Sequence, residues 1–163
     1  MNCSTLQCYI YIYLLSLVPS FESRYSLVVG IKIGLDEKLT IIVSTIGVIT
    51  LSLMLVFLLN LLDDVLPRLK NSHIKIVSGI ARTYLQVRAR IHSRRELVER
   101  YGYFGLIVFV MVPLPGSGIW SGALLAHLLG LDRRKTFLSL IVGGLLSMLL
   151  IFMLILTGRL VLR

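Results

Sequence analysis

The chain has 163 residues, 56% of them hydrophobic, a mean hydropathy of +0.89 and a formal charge of +9. That much apolar surface exceeds what a soluble core of this length can bury, so composition indicates an integral membrane protein rather than a soluble enzyme or binding module. Nor does the charge indicate nucleic acid. Nine of the seventeen Lys and Arg fall between Arg68 and Arg100, bounded by apolar sequence, where the positive-inside rule accounts for them and no nucleic-acid motif is present.

In chain order, Cys3 and Cys8 stand in a short polar terminus with no partner cluster, so they read as free thiols and not as a disulfide framework or zinc site. Tyr9 to Val18 is a ten-residue apolar run. It lacks a preceding Lys or Arg and a small-x-small cleavage site, so it reads as a retained segment and not as a signal peptide. Its alternation would suit a strand, but a lone strand in lipid leaves its backbone unpaired, and helix is expected. Pro19 then breaks the pattern, and Glu22 and Arg24 follow at once. Leu39 to Leu62 carries no charged residue and exceeds the roughly 20 residues a hydrocarbon core requires, so it is a predicted spanning helix. Asp63 and Asp64 are expected to end it in solvent.

From Gly79 to Tyr101 the apolar residues Ile80, Tyr84, Val87, Ile91 and Val98 recur at helical spacing, with Arg82, Arg88, Arg90 and Arg95 mostly elsewhere around the axis. An amphipathic cytoplasmic helix with its arginines at anionic headgroups is expected over this part of the basic segment 68–100, a simple topogenic loop being the alternative. Next comes Gly102 to Leu131, whose middle reads "VPLPGSGIW", and then Thr136 to Thr157, a second uncharged spanning segment. Positive charge flanks Gly102 to Leu131 on both sides, in "RRELVERYG" and "LDRRK". Entry and return on one face would keep both clusters inside, so the segment reads as a re-entrant hairpin whose tip is built from Pro113, Pro115, Gly116, Ser117 and Gly118, with Trp120 beside it.

The chain also resembles itself. At an offset of 96 residues Pro19 falls on Pro115, Gly34-Leu35-Asp36 on Gly130-Leu131-Asp132, Thr40 on Thr136 and Gly47 on Gly143. Each half then reads as half-helix, break, half-helix, "GLD" corner and full span, and one odd span per half makes the repeat inverted. The expected fold is thus all-α and integral to the membrane: one domain, with repeat 1 at about 9–62, a cytoplasmic connector at 63–101 and repeat 2 at about 102–158.

Ionisable residues at membrane depth are costly, which makes Glu22 and Arg24 the first candidates for a substrate or proton site. The repeat puts them at the first tip with Pro19, facing the second. Each tip also presents a half-helix start whose N–H groups attract an anion, with Ser20 or Ser23 and Ser117 as expected caps. The alternative is that the pair merely fixes the hairpin. His127 and Trp120 are weaker candidates, as a packed histidine and a space-filling aromatic. No Ser-His-Asp arrangement, metal-ligand spacing or phosphate loop is found, so neither catalysis nor a metal or other cofactor is expected.

At these residues the chain resembles a known family. "VPSFESRYSLVVGI" is similar to the Pro-x-x-Glu-x-Arg segment near the start of the small multidrug export proteins, and "YGYFGLIVFVMVPLPGSGIWSGALLAHLLGL" resembles their Tyr-Gly plus Pro-Leu-Pro-Gly-x-Gly-x-Trp segment. Val28 or Val29 stands where the family has a proline. More distantly the architecture resembles the DedA and VTT membrane proteins, which implies two opposed re-entrant hairpins with an acidic residue, matched by Glu22, and an arginine, matched by Arg24. The arginines those proteins place around the second hairpin have no counterpart in "PLPGSGIW". The resemblance implies a transporter that exports or flips a lipid-phosphate or other small amphiphile, with proton coupling. The alternatives are a proton-coupled small-molecule exporter and a non-transporting scaffold. Membrane lipids and a small-molecule or lipid substrate are the expected partners, and a homodimer is one way for so small a chain to enclose a path.

Overall fold

The computed structural model describes residues 5–19, 21–69, 95–114 and 117–161. These form helices α1 (Thr5–Leu17), α2 (Glu22–Lys32), α3 (Glu37–Leu69), α4 (Arg95–Met111), α5 (Ile119–Leu128) and α6 (Arg133–Val161), with no strand among the described residues. Tyr9 to Val18 is helical as expected apart from its last residue. The amphipathic reading of 79–101 lies outside the described residues up to 94. From Arg95 on, the basic sequence is the first part of α4 and runs into its apolar part without a break. One expectation fails: α3 does not end at Asp63 and Asp64 but continues to Leu69. Two aspartates cost a helix only about half a kcal/mol each, too little to stop one already propagating from an apolar span.

Two stretches are long and apolar enough to cross a membrane, Glu37–Leu59 in α3 and Arg133–Gly158 in α6, and only 33% and 28% of their most apolar windows is buried inside the protein. A soluble core helix would be mostly covered. Instead large apolar side chains stand exposed all along these elements, among them Phe57 and Leu154 at 68% and 66%, and Phe104 of α4 is 70% exposed. Surfaces of this kind require an apolar surrounding. Hydroxyls on the outer faces do not need water: Thr50 and Thr157 donate to Ile46 O and Met153 O one turn back, at 2.8 and 2.9 Å.

The two long helices run antiparallel. Val48 meets the backbone of Gly144 near the middle of both, Leu59 and Arg133 line one cavity at one end, and Ile41 shares a cluster with Phe152 and Ile155 towards the other. Around this pair the shorter helices complete the core: Val48, Leu51, Leu55 and Leu59 of α3 pack with Leu106 and Val110 of α4, Ile119, Ala123 and Ala126 of α5, and Leu140 of α6. A second cluster joins Leu27 and Ile31 of α2 to Met148 of α6.

The halves are alike down to individual hydrogen bonds. After α2, Gly34 takes φ +81° while Leu35 N–H bonds Gly30 O and Gly34 N–H bonds Ile31 O. After α5, Gly130 takes φ +66° while Leu131 N–H bonds Ala126 O and Gly130 N–H bonds His127 O. Both are Schellman motifs, which use glycine because its φ is positive. Each is followed by an aspartate cap: Asp36 Oδ1 accepts from Leu39 N–H at 2.9 Å, and Asp132 Oδ1 accepts from Arg134 and Lys135 N–H at 3.0 and 3.1 Å. Gly47 and Gly143 also correspond. A Cβ on Gly47 would overlap Ser16 of α1, and one on Gly143 would overlap Val110 of α4, so each long helix gives way to the first helix of its own half.

Candidate functional site

The break after α1 is made by Pro19, which disfavours helix at Val18 and cannot donate to the previous turn. The chain re-enters helix at Glu22, whose φ of 48° places a non-glycine residue in the left-handed region. Such a conformation costs on the order of 1–3 kcal/mol and persists only where surroundings impose it. Here the surroundings are the opposite tip, and what they impose is burial: Glu22, Ser23 and Arg24 are 5%, 2% and 3% exposed.

Arg24 Nη2 lies 3.2 Å from Glu22 Oε2, a buried ion pair. The rest of each group's bonding is with the second tip. Arg24 Nη1 donates to Val112 O at 3.2 Å, just past the end of α4, and Nη2 donates to Ser117 O at 2.5 Å. Glu22 Oε1 accepts the backbone N–H of Trp120 in the first turn of α5, at 3.3 Å. The guanidinium thus meets the carbonyl end of one helix and the carboxylate the amide end of the next, each opposite the partial charge that favours it. Desolvating the pair is tolerable because these extra bonds satisfy it.

The contact is reciprocal. Trp120, the counterpart of Arg24 at the 96-residue offset, donates its indole N–H to Leu17 O at the end of α1, at 3.3 Å. Gly118, the counterpart of Glu22, lies against that residue so closely that a Cβ would overlap both carboxylate oxygens and Arg24 Nη2. Its own φ of 169° is extended, so the requirement for glycine here is space. Glu22 and Gly118, which correspond at that offset, thus touch each other across the contact.

The structure therefore brings Glu22, Arg24, Ser117, Gly118 and Trp120 together. Pro19 is exposed in its turn, Pro113 is half-buried, and Pro115 and Gly116, like Ser20, lie outside the described residues. The expected serine caps are corrected. Ser23 lies inside α2, whose N-cap is Phe21, and Ser117 precedes Gly118, the N-cap of α5; neither helix start has a side-chain cap from its own N-cap residue. Ser117 Oγ instead ties the tip together, lying 2.5 and 2.9 Å from Val112 O and Leu114 O and accepting from Leu114 N–H at 3.2 Å. The start of α5 is capped by Glu22 from the other half. His127 is not at the tips and lines a separate cavity near the α5–α6 corner. Trp120 is more than a space-filler, because its indole closes the reciprocal bond.

Sequence reasoning missed Gly118 as a space requirement, the carbonyls of Leu17 and Val112 as partners, and the strain at Glu22. Laying the halves over each other would have paired Glu22 with Gly118, a large charged residue against the smallest one.

No curated protein and no solved structure matches the chain. Neither, then, lends support to the distant likeness to DedA proteins. Residues 22–150 do match the family described as "Putative small multi-drug export protein". The match opens on Glu22 itself, takes in Arg24, the second tip and both corners, and runs through most of the second long helix, which makes this chain a member of that family.

Proposed function

We propose that the chain is a multi-pass exporter of small amphiphilic cations, driven by protons, with Glu22 as the group that exchanges proton for cargo. Each half contributes a re-entrant hairpin, α1–α2 from one face and α4–α5 from the other, and the tips meet near the midplane at Glu22 and Arg24. Two features support this topology: the antiparallel long helices, and the shared cavity at Leu59 and Arg133, which puts the end of one span level with the start of the other. The connector 63–101 and the corner "LDRRK" then both lie in the cytoplasm, as their charge favours.

The carrying observation is that one carboxylate closes the contact between the tips. Ionised, Glu22 holds Arg24 and the amide end of α5. Neutralised by a proton or matched by an incoming cation, it loses its electrostatic hold on both, and the strained backbone at Glu22 favours release. A structural anchor alone has little use for irregular backbone at this depth. A lipid-phosphate cargo has weaker support, since Arg24 and the α5 start are already satisfied within the chain. A fixed clasp in a non-transporting scaffold is the competing reading, favoured by that same internal bonding.

One experiment separates them. Glu22→Gln keeps the size and an acceptor for Trp120 N–H and leaves Arg24 its two carbonyl partners, so the purified protein should stay folded but melt below the parent. In liposomes it should lose the proton-dependent efflux of an amphiphilic dye cation that the parent supports. Equal efflux in both removes Glu22 from the mechanism, and none in the parent favours the scaffold. Single cysteines at Arg95 and Arg134, with Cys3 and Cys8 replaced, should both react only from the cytoplasmic face. Reaction of the Arg134 site from outside overturns the hairpin.

A further inference from the structure

At the α5–α6 corner, away from the tips, lies a small open cavity of about 30 Å³, lined by Val56, Leu59, Ala123, His127, Leu131, Arg133 and Thr136. Thr136 is 6% exposed, yet its hydroxyl has no hydrogen-bond partner among the described residues. The equivalent Thr40 is also buried, but its hydroxyl donates to Asp36 O at 2.7 Å. The two corners share their backbone bonds, so the difference lies in the side chains: where the first has Ile31 and Glu37, the second has His127 and Arg133.

We propose that this cavity receives the phosphate oxygens of an anionic headgroup, held by Arg133 and the Thr136 hydroxyl, with His127 in the lining. Its level fits a bilayer lipid: Arg133 begins one membrane-length stretch and Leu59 stands near the end of the uncharged run 39–62, so the cavity opens where hydrocarbon gives way to headgroups. Its walls fit as well. Val56, Leu59, Ala123 and Leu131 line it beside the polar groups, which suits the start of an acyl chain. Arg134 and Lys135 add positive charge nearby, and the carboxylate of Asp132 is engaged by their backbone N–H groups. The volume admits one or two water-sized groups, enough for headgroup oxygens but not for a whole amphiphile, so this site is distinct from a transport path.

Native mass spectrometry of the full chain in detergent, titrated with a short-chain phosphatidylglycerol or phosphatidylcholine, tests this. One phosphatidylglycerol should be retained in preference to phosphatidylcholine. Arg133→Gln should weaken its binding about tenfold, as loss of a charge-assisted contact does. Thr136→Val, which is isosteric and has no internal bond to lose, should weaken it about fivefold with the melting temperature unchanged. Arg134→Gln removes the same charge outside the cavity and should weaken binding far less than Arg133→Gln does. Equal loss in Arg134→Gln and Arg133→Gln, or full binding by Thr136→Val, overturns the site. Glycerol phosphate added as competitor distinguishes the sources of the phosphate: no displacement assigns it to the bilayer, and displacement at matched concentration overturns the lipid assignment in favour of a soluble phosphate.

Discussion

Position for position, the two halves bury the same backbone around opposite chemistry. In the first half Glu22, Ser23, Arg24, Ser26 and Ser44 point into the protein, and Ser26 Oγ lies 3.3 Å from Ser44 Oγ across α2 and α3. Their counterparts are Gly118, Ile119, Trp120, Gly122 and Leu140, and a Cβ on Gly122 would meet the Leu140 side chain where the serines bond. Segments that share their corner geometry thus differ in the chemistry they bury. At these five positions the first half carries the charge and hydroxyls, and the second supplies space, apolar surface and helix ends that receive them. Local bonding sets the scaffold, and side-chain choice at a few buried positions sets the polarity of the site.

Substitutions across the tips break this comparison most strongly. Arg24→Met should cost about 3–5 kcal/mol of stability, because it leaves Glu22 buried and uncompensated and frees the carbonyls of Val112 and Ser117. Thermal unfolding in detergent measures it, and a loss under about 1 kcal/mol would mean the pair is solvated and the tips separate. Gly118→Ala comes next, at about 1–3 kcal/mol, since its methyl displaces the carboxylate it faces. Combining it with Glu22→Ala should recover part of that loss, and strict additivity would contradict the close approach.

The corners give smaller and more instructive effects. Gly34→Ala and Gly130→Ala each force a Cβ into positive φ with open space around it, so each should cost about 1–2 kcal/mol and by similar amounts. Unequal losses would show that the corners differ more than their shared bonds indicate. The smallest change is Trp120→Phe, which keeps an aromatic ring and deletes the indole donor to Leu17 O, at about 0.5–1.5 kcal/mol. A loss well below that of Arg24→Met would sharpen the asymmetry, identifying the first half's arginine as the stronger of two equivalent latches.

The sequence by itself determined the helical, membrane-bound class, the two membrane-length stretches and the matching corners, because each is written in local signals: uninterrupted apolar length, glycine followed by an aspartate cap, prolines where helix stops. It also singled out Glu22 and Arg24, since charge in apolar surroundings stands out in one dimension. It did not determine where α3 stops, because helix propagation tolerates aspartates that read like an end. Only the tertiary structure decided what the charged pair holds. Leu17 O, Val112 O and the Trp120 amide are backbone groups with no residue-type signature, and they become partners of Arg24, Glu22 and Trp120 only when segments about a hundred residues apart are packed against each other. The need for glycine at 118 has the same origin, because it is set by a carboxylate from the other half and not by any turn of its own.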